Sequence, residues 1–282
     1  MTAALASVAG RARRSPGFVC GAVLGAALVG IALLSLVWTP WPPEQIDIAA
    51  RLQPPSAAHW FGTDSLGRDI VSQLMAGARN SLVVGVVAVA IGLVTGVGLG
   101  CLAAARRGWV DDALMRTADV AFAFPALLSA ILLAAIHGPG LATSVLAIGL
   151  FNVPVFARIT RGAARAVWAR EYVLAARAAG KGGWRITVDH VLPNVAAPIV
   201  VQATIAFATA ILAEAALSYL GLGTQPPQPS WGRMLNEAQT QWFQAPMQAV
   251  YPGAAIMLAV LGLNLLGDGL RDLLDPRSTR TD

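Results

Sequence analysis

Residues 18–38 form a run of 21 residues without a charged side chain. At about 1.5 Å per residue, a helix of that length crosses a hydrocarbon layer of about 30 Å. Apolar stretches recur at residues 81–105, 117–136, 141–156, 196–220 and 249–266, with Asp119 and Glu214 the charged residues inside them. Six such stretches do not fit inside one soluble core, so the expected fold is an all-α polytopic membrane protein with six transmembrane helices. Composition agrees. Charged residues make up 12% of the chain, against about 25% in ordinary soluble domains. The net charge of +5 then reads as basic loops beside a membrane rather than a nucleic-acid surface.

The first run follows Arg11, Arg13 and Arg14, as a signal-peptide core would. It is longer than the about 7–15 apolar residues of such a core, and it ends in Trp38 followed by Thr39-Pro40-Trp41-Pro42 in place of a small-residue cleavage site. It is therefore expected to remain as the first span, with Trp38 and Trp41 at the far interface. Beyond it, residues 66–78 read as a helix lying on the membrane or against the bundle, capped by Asp64 or Ser65. Thr63, Asp64, Arg68 and Asp69 suggest a capped, salt-bridged turn before they suggest a catalytic cluster. This divides the chain into residues 1–80, with a cytoplasmic N-terminus, a first span and an extracytoplasmic segment, and residues 81–282, a core of five spans.

Within the second span, Ala88, Gly92, Gly96, Gly100 and Ala104 recur every fourth residue. That spacing predicts a ridge of small side chains where a neighbouring helix packs closely. Residues 106–116 read as a polar turn. Pro125, Pro154, Pro198 and Pro252 each weaken the local helix ladder. Glu214, inside the fifth span, is six residues from Leu220 and so ~9 Å from the outer end. A carboxylate there is a candidate gate or path residue, or a partner for a neighbouring helix.

Orientation follows from Lys and Arg. Sixteen of the 20 lie in the N-terminus, the 106–116 turn, the 157–195 loop and the C-terminal tail, while Arg51, Arg68, Arg79 and Arg233 lie on the other side. This asymmetry puts both termini and the 157–195 loop in the cytoplasm, and an even number of spans is consistent with it.

Little in the chain supports chemistry. Cys20 and Cys101 sit in apolar runs and read as free thiols. His59, His137 and His190 lack metal-ligand spacing, so no metal site is expected. Ser72, Ser81, Ser129 and Ser144 have no His and Asp pattern around them, which argues against the alternative of a membrane-embedded enzyme. Ala179-Gly180-Lys181-Gly182-Gly183 imitates the end of a phosphate-binding loop. It has Ala175 where the first glycine belongs and Gly182 where the magnesium-binding hydroxyl belongs, and no strand pattern precedes it.

Residues 170–194, REYVLAARAAGKGGWRITVDHVLPN, form a basic island between apolar runs. Two short helical pieces, 171–179 and 184–191, flank a turn made by Gly180, Lys181, Gly182 and Gly183. Glu171-Tyr172, Ala175-Ala176, Gly180 and Leu192-Pro193-Asn194 resemble the signature loop of ATP-binding-cassette importer permeases, E-A-A-x-x-x-G followed by I-x-L-P. Leu174 stands in the Glu slot and His190 in the Ile slot. FGTDSLGRD (61–69), GARNSL (77–82), FAFPALL (122–128), ILAEAALSYLGLG (211–223), QPPQPSWGRML (225–235) and NLLGDGLRDLLDPR (264–277) extend the likeness to the second permease subunit of dipeptide and oligopeptide importers.

The resemblance implies a type I importer permease fold in a bacterial cell membrane. Residues 170–194 would then be a coupling segment docking on a cytoplasmic ATPase, with Glu171, Tyr172, Leu174, Ala175, Ala176, Arg177, Gly180, Lys181, Leu192 and Pro193 carrying the contact. Small Ala175, Ala176 and Ala179 would allow close approach, and Arg170, Arg177 and Arg185 would make polar rim contacts. Implied partners are a related second permease, one or more ATP-binding subunits, an extracytoplasmic peptide-binding protein and the bilayer. ATP and magnesium would belong to the ATPases, with no cofactor held by this chain. Nickel, haem or another small solute is the alternative cargo.

Overall fold

The computed structural model describes residues 15–274. The expected basic N-terminus, with Arg11, Arg13 and Arg14, lies outside the described residues, as do Arg277 and Arg280 of the tail. Ser15 caps the first helix, α1 (Pro16–Leu34), and Pro16 occupies its first turn. Proline suits that position because its missing N–H would have no intrahelical partner. α1 is apolar on every side and mostly exposed, as a lipid-facing helix is.

Asp69 caps α2 (Ile70–Arg106), its carboxylate accepting from the Ser72 N–H at 2.8 Å. This corrects the expected boundary. The surface helix over 66–78 and the span from Ser81 are one helix of 37 residues, about 55 Å long. Nothing between Ala78 and Ser81 breaks a helix. Asn80 and Ser81 are buried rather than wet, Asn80 bonded to the Pro229 carbonyl in the loop before the last span and Ser81 to Glu214 in the fifth. The cap is Asp69, not Asp64 or Ser65. Asp64 instead closes the preceding turn, accepting from the Leu66 and Arg68 N–H groups at 2.8 Å each.

A second correction concerns residues 106–136. The expected polar turn is already helical from α3 (Trp109–Ala123), and α4 (Ala126–His137) leaves it at 85°. Phe124 precedes Pro125 and is therefore driven to extended backbone, φ −89° and ψ 126°. Five described helices are long and apolar enough to cross a membrane, and the bent α3–α4 pair makes the sixth span if it is counted as one. By contrast α5 (Leu141–Trp168) continues through Pro154 as one helix, and carries Arg158, Arg161 and Arg165 on its final turns rather than in a loop.

Two short helices follow, α6 (Glu171–Ala178) and α7 (Gly183–Ile186), then a π-turn over Thr187–Val191 that feeds α8 (Leu192–Tyr219). The second piece of the basic island is thus the base of the fifth span, not a separate element. α9 (Trp231–Ala238) lies in the loop between the fifth and sixth spans, and α10 (Met247–Leu274) is the last span.

α2 and α5 make the largest helix–helix interface. The predicted ridge lies in it. A Cβ on Gly96 would come within 2.6 Å of the Phe156 Cβ, and one on Gly100 within 2.6 Å of the Ala157 carbonyl oxygen. Gly92 abuts Asn152 in the same way. Two apolar clusters hold the bundle. One joins α2, α5, α8 and the 170–194 segment through Val84, Phe156, Ile186, Val191 and Val195. The other joins α1, α8, α9 and α10 through Leu28, Ile211, Trp231, Ile256 and Leu263.

Candidate functional site: the coupling segment and its supports

Arg170, in extended backbone, stands before α6. Ala and Leu favour this helix, and Glu171 at its first turn meets the positive end of the dipole. Val173 anchors it, 1% exposed in the apolar core. The opposite face is bare. Tyr172, Leu174 at 53% exposure, Ala175, Ala178 and Ala179 are all exposed.

Gly180 ends α6 in a Schellman motif. The Lys181 N–H donates to the Ala176 carbonyl at 3.1 Å and the Gly180 N–H to the Arg177 carbonyl at 3.0 Å. This requires φ of +83° at Gly180, a region that costs an L side chain roughly 1–2 kcal/mol. Glycine is there for its backbone, since a Cβ would meet nothing within 4 Å.

Side chains then tie the two pieces together. Lys181 Nζ lies 2.8 Å from Asp189 Oδ2 and 3.1 Å from His190 Nε2. The His190 ring meets Tyr172 edge-on at 6.1 Å between centroids. His190, the departure at the Ile slot, thus bridges α6 and the π-turn. In that turn the Leu192 N–H reaches the Thr187 carbonyl five residues back. Pro193, one residue on, has no N–H to offer, and the Asn194 side chain donates to the His190 carbonyl at 2.7 Å. The Leu192-Pro193-Asn194 run is where an irregular turn passes into a membrane helix.

The structure brings Tyr172, Lys181, Asp189 and His190 into one network. Arg177 and Lys181 face back toward α2, lining a cavity with Arg106 and Trp168. Sequence reasoning missed that inward turn, as well as the ion pairs beneath the segment. Arg161 holds the buried Asp111 with Nη2 to Oδ2 at 2.7 Å, Arg165 adds a contact at 3.5 Å, and Arg158 pairs with Asp119. The signal was three arginines on α5 beside three aspartates on α3, but only the fold shows that Asp111 and Asp119 are the two that meet them.

Glu214 is distant from this segment. It is fully buried in α8 and accepts from Ser218 Oγ at 2.6 Å, Thr224 Oγ1 at 3.3 Å and Ser81 Oγ at 3.5 Å. Ser218 Oγ also accepts from the Thr224 N–H at 3.0 Å. The carboxylate therefore links α8, α2 and the start of the loop that follows α8. Nearby, Asn80 donates to the Pro229 carbonyl at 2.7 Å and Trp231 Nε1 to the Leu74 carbonyl at 3.0 Å. The 61–69 turn is likewise structural. Arg68 lies between Asp64 and Glu237, Gln73 donates to Asp64, and Asp69 meets His59 at 2.9 Å. Every one of these charges already has a protein partner.

The family model described as "Binding-protein-dependent transport system inner membrane component" matches residues 96–280. The dipeptide transport system permease protein DppC of Alkalihalophilus pseudofirmus is 44% identical over 259 residues, 92% of this chain and 85% of that protein. The glutathione transport system permease protein GsiD of Pectobacterium atrosepticum is 45% identical over 89% of this chain and 83% of that protein. Among solved structures, a chain of the MetNI methionine ABC transporter in inward-facing conformations matches with a TM-score of 0.58 at 19% identity, over 72% of this chain and 97% of that one. At that identity the last match speaks to fold alone, but the sequence matches span most of the chain: it belongs to the family of binding-protein-dependent transport system inner membrane components.

Proposed function

We propose that this chain is the permease subunit of an ATP-driven importer of di- and oligopeptides. The observation that carries the reading is identity of 44–45% over most of both chains to permeases named for dipeptide and glutathione transport. The family places the chain as a multi-pass subunit of the bacterial inner membrane and implies a binding protein, a second permease and ATPase subunits. Among those partners, this chain supplies half of the path and hydrolyses nothing itself. ATP and magnesium are held by the ATPases.

Residues 170–194 take the coupling role. The exposed face of α6, with Tyr172, Leu174 and Ala175, meets the ATPase, while Val173 and the core residues Ile186 and Val191 fasten the segment to the spans. Glu171 supplies the acidic group in place of the Glu that Leu174 displaces. With Tyr172, His190, Lys181 and Asp189 joined, the segment moves as one body and passes displacement into α8. Closure of the ATPases draws paired segments together and opens the bundle outward, and hydrolysis resets it. Both termini lie on the cytoplasmic side in this arrangement. Glu214 anchors the outer loop rather than contacting cargo.

Uptake of labelled dipeptides and longer peptides, in cells with and without this chain, tests the cargo. Loss of uptake on deletion, restored by the gene in trans, is expected. Unchanged peptide uptake with loss of some other solute overturns the cargo assignment.

A further inference from the structure

A cavity of ≈ 600 Å³ lies where the end of α2 meets the coupling segment. Its α2 wall is apolar, formed by Val94, Val97, Gly98, Cys101, Leu102 and Ala105. Trp168, Ile186 and Leu192 close the other side. Its rim is basic, with Arg106, Arg177 and Lys181. Lys181 is already paired with Asp189, but neither the Arg106 nor the Arg177 guanidinium has a hydrogen-bond or ion-pair partner among the described residues. Two unopposed positive charges therefore cap an apolar trough.

The dimensions decide the occupant. From Val94 to Arg106 the trough runs about 18 Å along α2. Half of a hydrocarbon core is about 15 Å thick. The apolar wall thus has the length of one leaflet, and the arginines stand where that leaflet's head groups lie. Val94, Gly98 and Leu102 are exposed on this wall, and a Cβ on Gly98 would meet nothing within 4 Å. A soluble acidic segment would satisfy the arginines and leave the wall bare. A zwitterionic lipid would cover the wall without excess negative charge for the rim. Trp184, exposed and beside the rim, has the amphipathic ring favoured at that depth.

We infer that this cavity is a binding site for an anionic phospholipid of the cytoplasmic leaflet, its acyl chain along α2 from Val94 to Ala105 and its phosphate on Arg106 and Arg177. The inference rests on the proposed orientation, with α2 spanning the bilayer and Arg106 at its cytoplasmic end, and is independent of the cargo. Because Arg177 lies on α6, the lipid ties the coupling segment to the base of α2, and the anionic content of the membrane sets how firmly the segment is held.

The test uses the full-length chain in its assembled importer, delipidated in detergent. It is titrated with phosphatidylglycerol or phosphatidylcholine of matched acyl chains, and occupancy is read by native mass spectrometry. Glycerol 3-phosphate serves as a head group without chains. Phosphatidylglycerol is expected to bind preferentially, and glycerol 3-phosphate not to compete at equal concentration. Each basic residue near an anionic head group is worth about fivefold in affinity, so Arg106→Gln with Arg177→Gln together lower it about 25-fold. Gly98→Phe fills the trough with the arginines intact and is expected to reduce occupancy as well. Both arginines are exposed, so their removal strips no buried partner, and an unchanged lipid-free melting temperature confirms folding. Equal retention of the two lipids, wild-type affinity in the double variant, or undiminished occupancy in Gly98→Phe each overturns the site.

Discussion

Replacing Gly180 by valine isolates the backbone turn on which the proposed coupling role of residues 170–194 depends. Gly180 sits at φ +83° with open space where a Cβ would point. The substitution therefore causes no clash at Cβ and acts through conformation. Holding an L residue in that region costs roughly 1–2 kcal/mol, which lowers the population of the native turn by up to about 5–30-fold. A partner that binds only the native turn sees its apparent affinity fall by the same factor. Gly182 provides the internal control. It stands two residues away with φ −66°, accessible to any residue, and a Cβ there would also meet nothing within 4 Å. The assay is titration of the assembled permeases with purified ATPase subunit, followed by peptide-stimulated ATP hydrolysis at limiting ATPase. Gly180→Val is expected to weaken docking and stimulation, Gly180→Ala to do so less, and Gly182→Ala to leave both unchanged. Wild-type docking in Gly180→Val, or an equal defect in Gly182→Ala, would refute the claim that this turn presents the ATPase-binding face.

Other substitutions test the supports. Gly96→Leu forces a side chain into the α2–α5 contact, where even a Cβ stands 2.6 Å from the Phe156 Cβ; overpacking of this kind costs about 1–3 kcal/mol or more, and a lowered melting temperature with loss of monodisperse protein is expected. Glu214→Ala leaves the Ser218 and Thr224 hydroxyls without their buried acceptor, at about 1–3 kcal/mol for each unsatisfied group. Faster proteolysis in the 221–230 loop is the expected sign, with Glu214→Gln milder because an amide oxygen still accepts. Arg68→Ala removes the cation between Asp64 and Glu237. Asp64 keeps its Gln73 and backbone N–H donors and Glu237 keeps Arg233, so the loss is expected to be about 1–3 kcal/mol, whereas Asp119→Asn, in an exposed pair with Arg158, is expected to change stability by less than about 1 kcal/mol. Thermal unfolding of the purified chain measures both.

Much of the architecture was present in the order of residues, because insertion in a bilayer is decided by the local length and polarity of a segment. The apolar runs became the spans, and the four-residue spacing of Gly92, Gly96 and Gly100 mapped onto one face because an α-helix has a fixed pitch. The basic island with Gly180 and Leu192-Pro193 declared itself through residues whose backbone demands are intrinsic. Positive φ favours glycine, and a prolyl nitrogen donates nothing. Boundaries were less legible. Residues 66–80 carry the polar side chains of a surface helix, yet α2 absorbs most of them from Ile70 on, because Asn80, Ser81 and Gln73 find buried hydrogen-bond partners that no local window reveals.

The sequence by itself determined that the chain lives in a membrane and in which stretches its spans lie, and it carries over residues 170–194 a likeness to the signature loop of importer permeases. Each of these rests on a property of consecutive residues. Tertiary structure alone decided that the chain turns by 85° at Pro125 while Pro154 stays inside an unbroken helix, that Asp111 is buried beneath Arg161, and that His190 joins Tyr172 to Lys181. It also turned Arg177 toward Arg106 across 71 positions of chain. These depend on which distant groups compete for the same hydrogen bond, charge or space, and that competition exists only once the helices have packed.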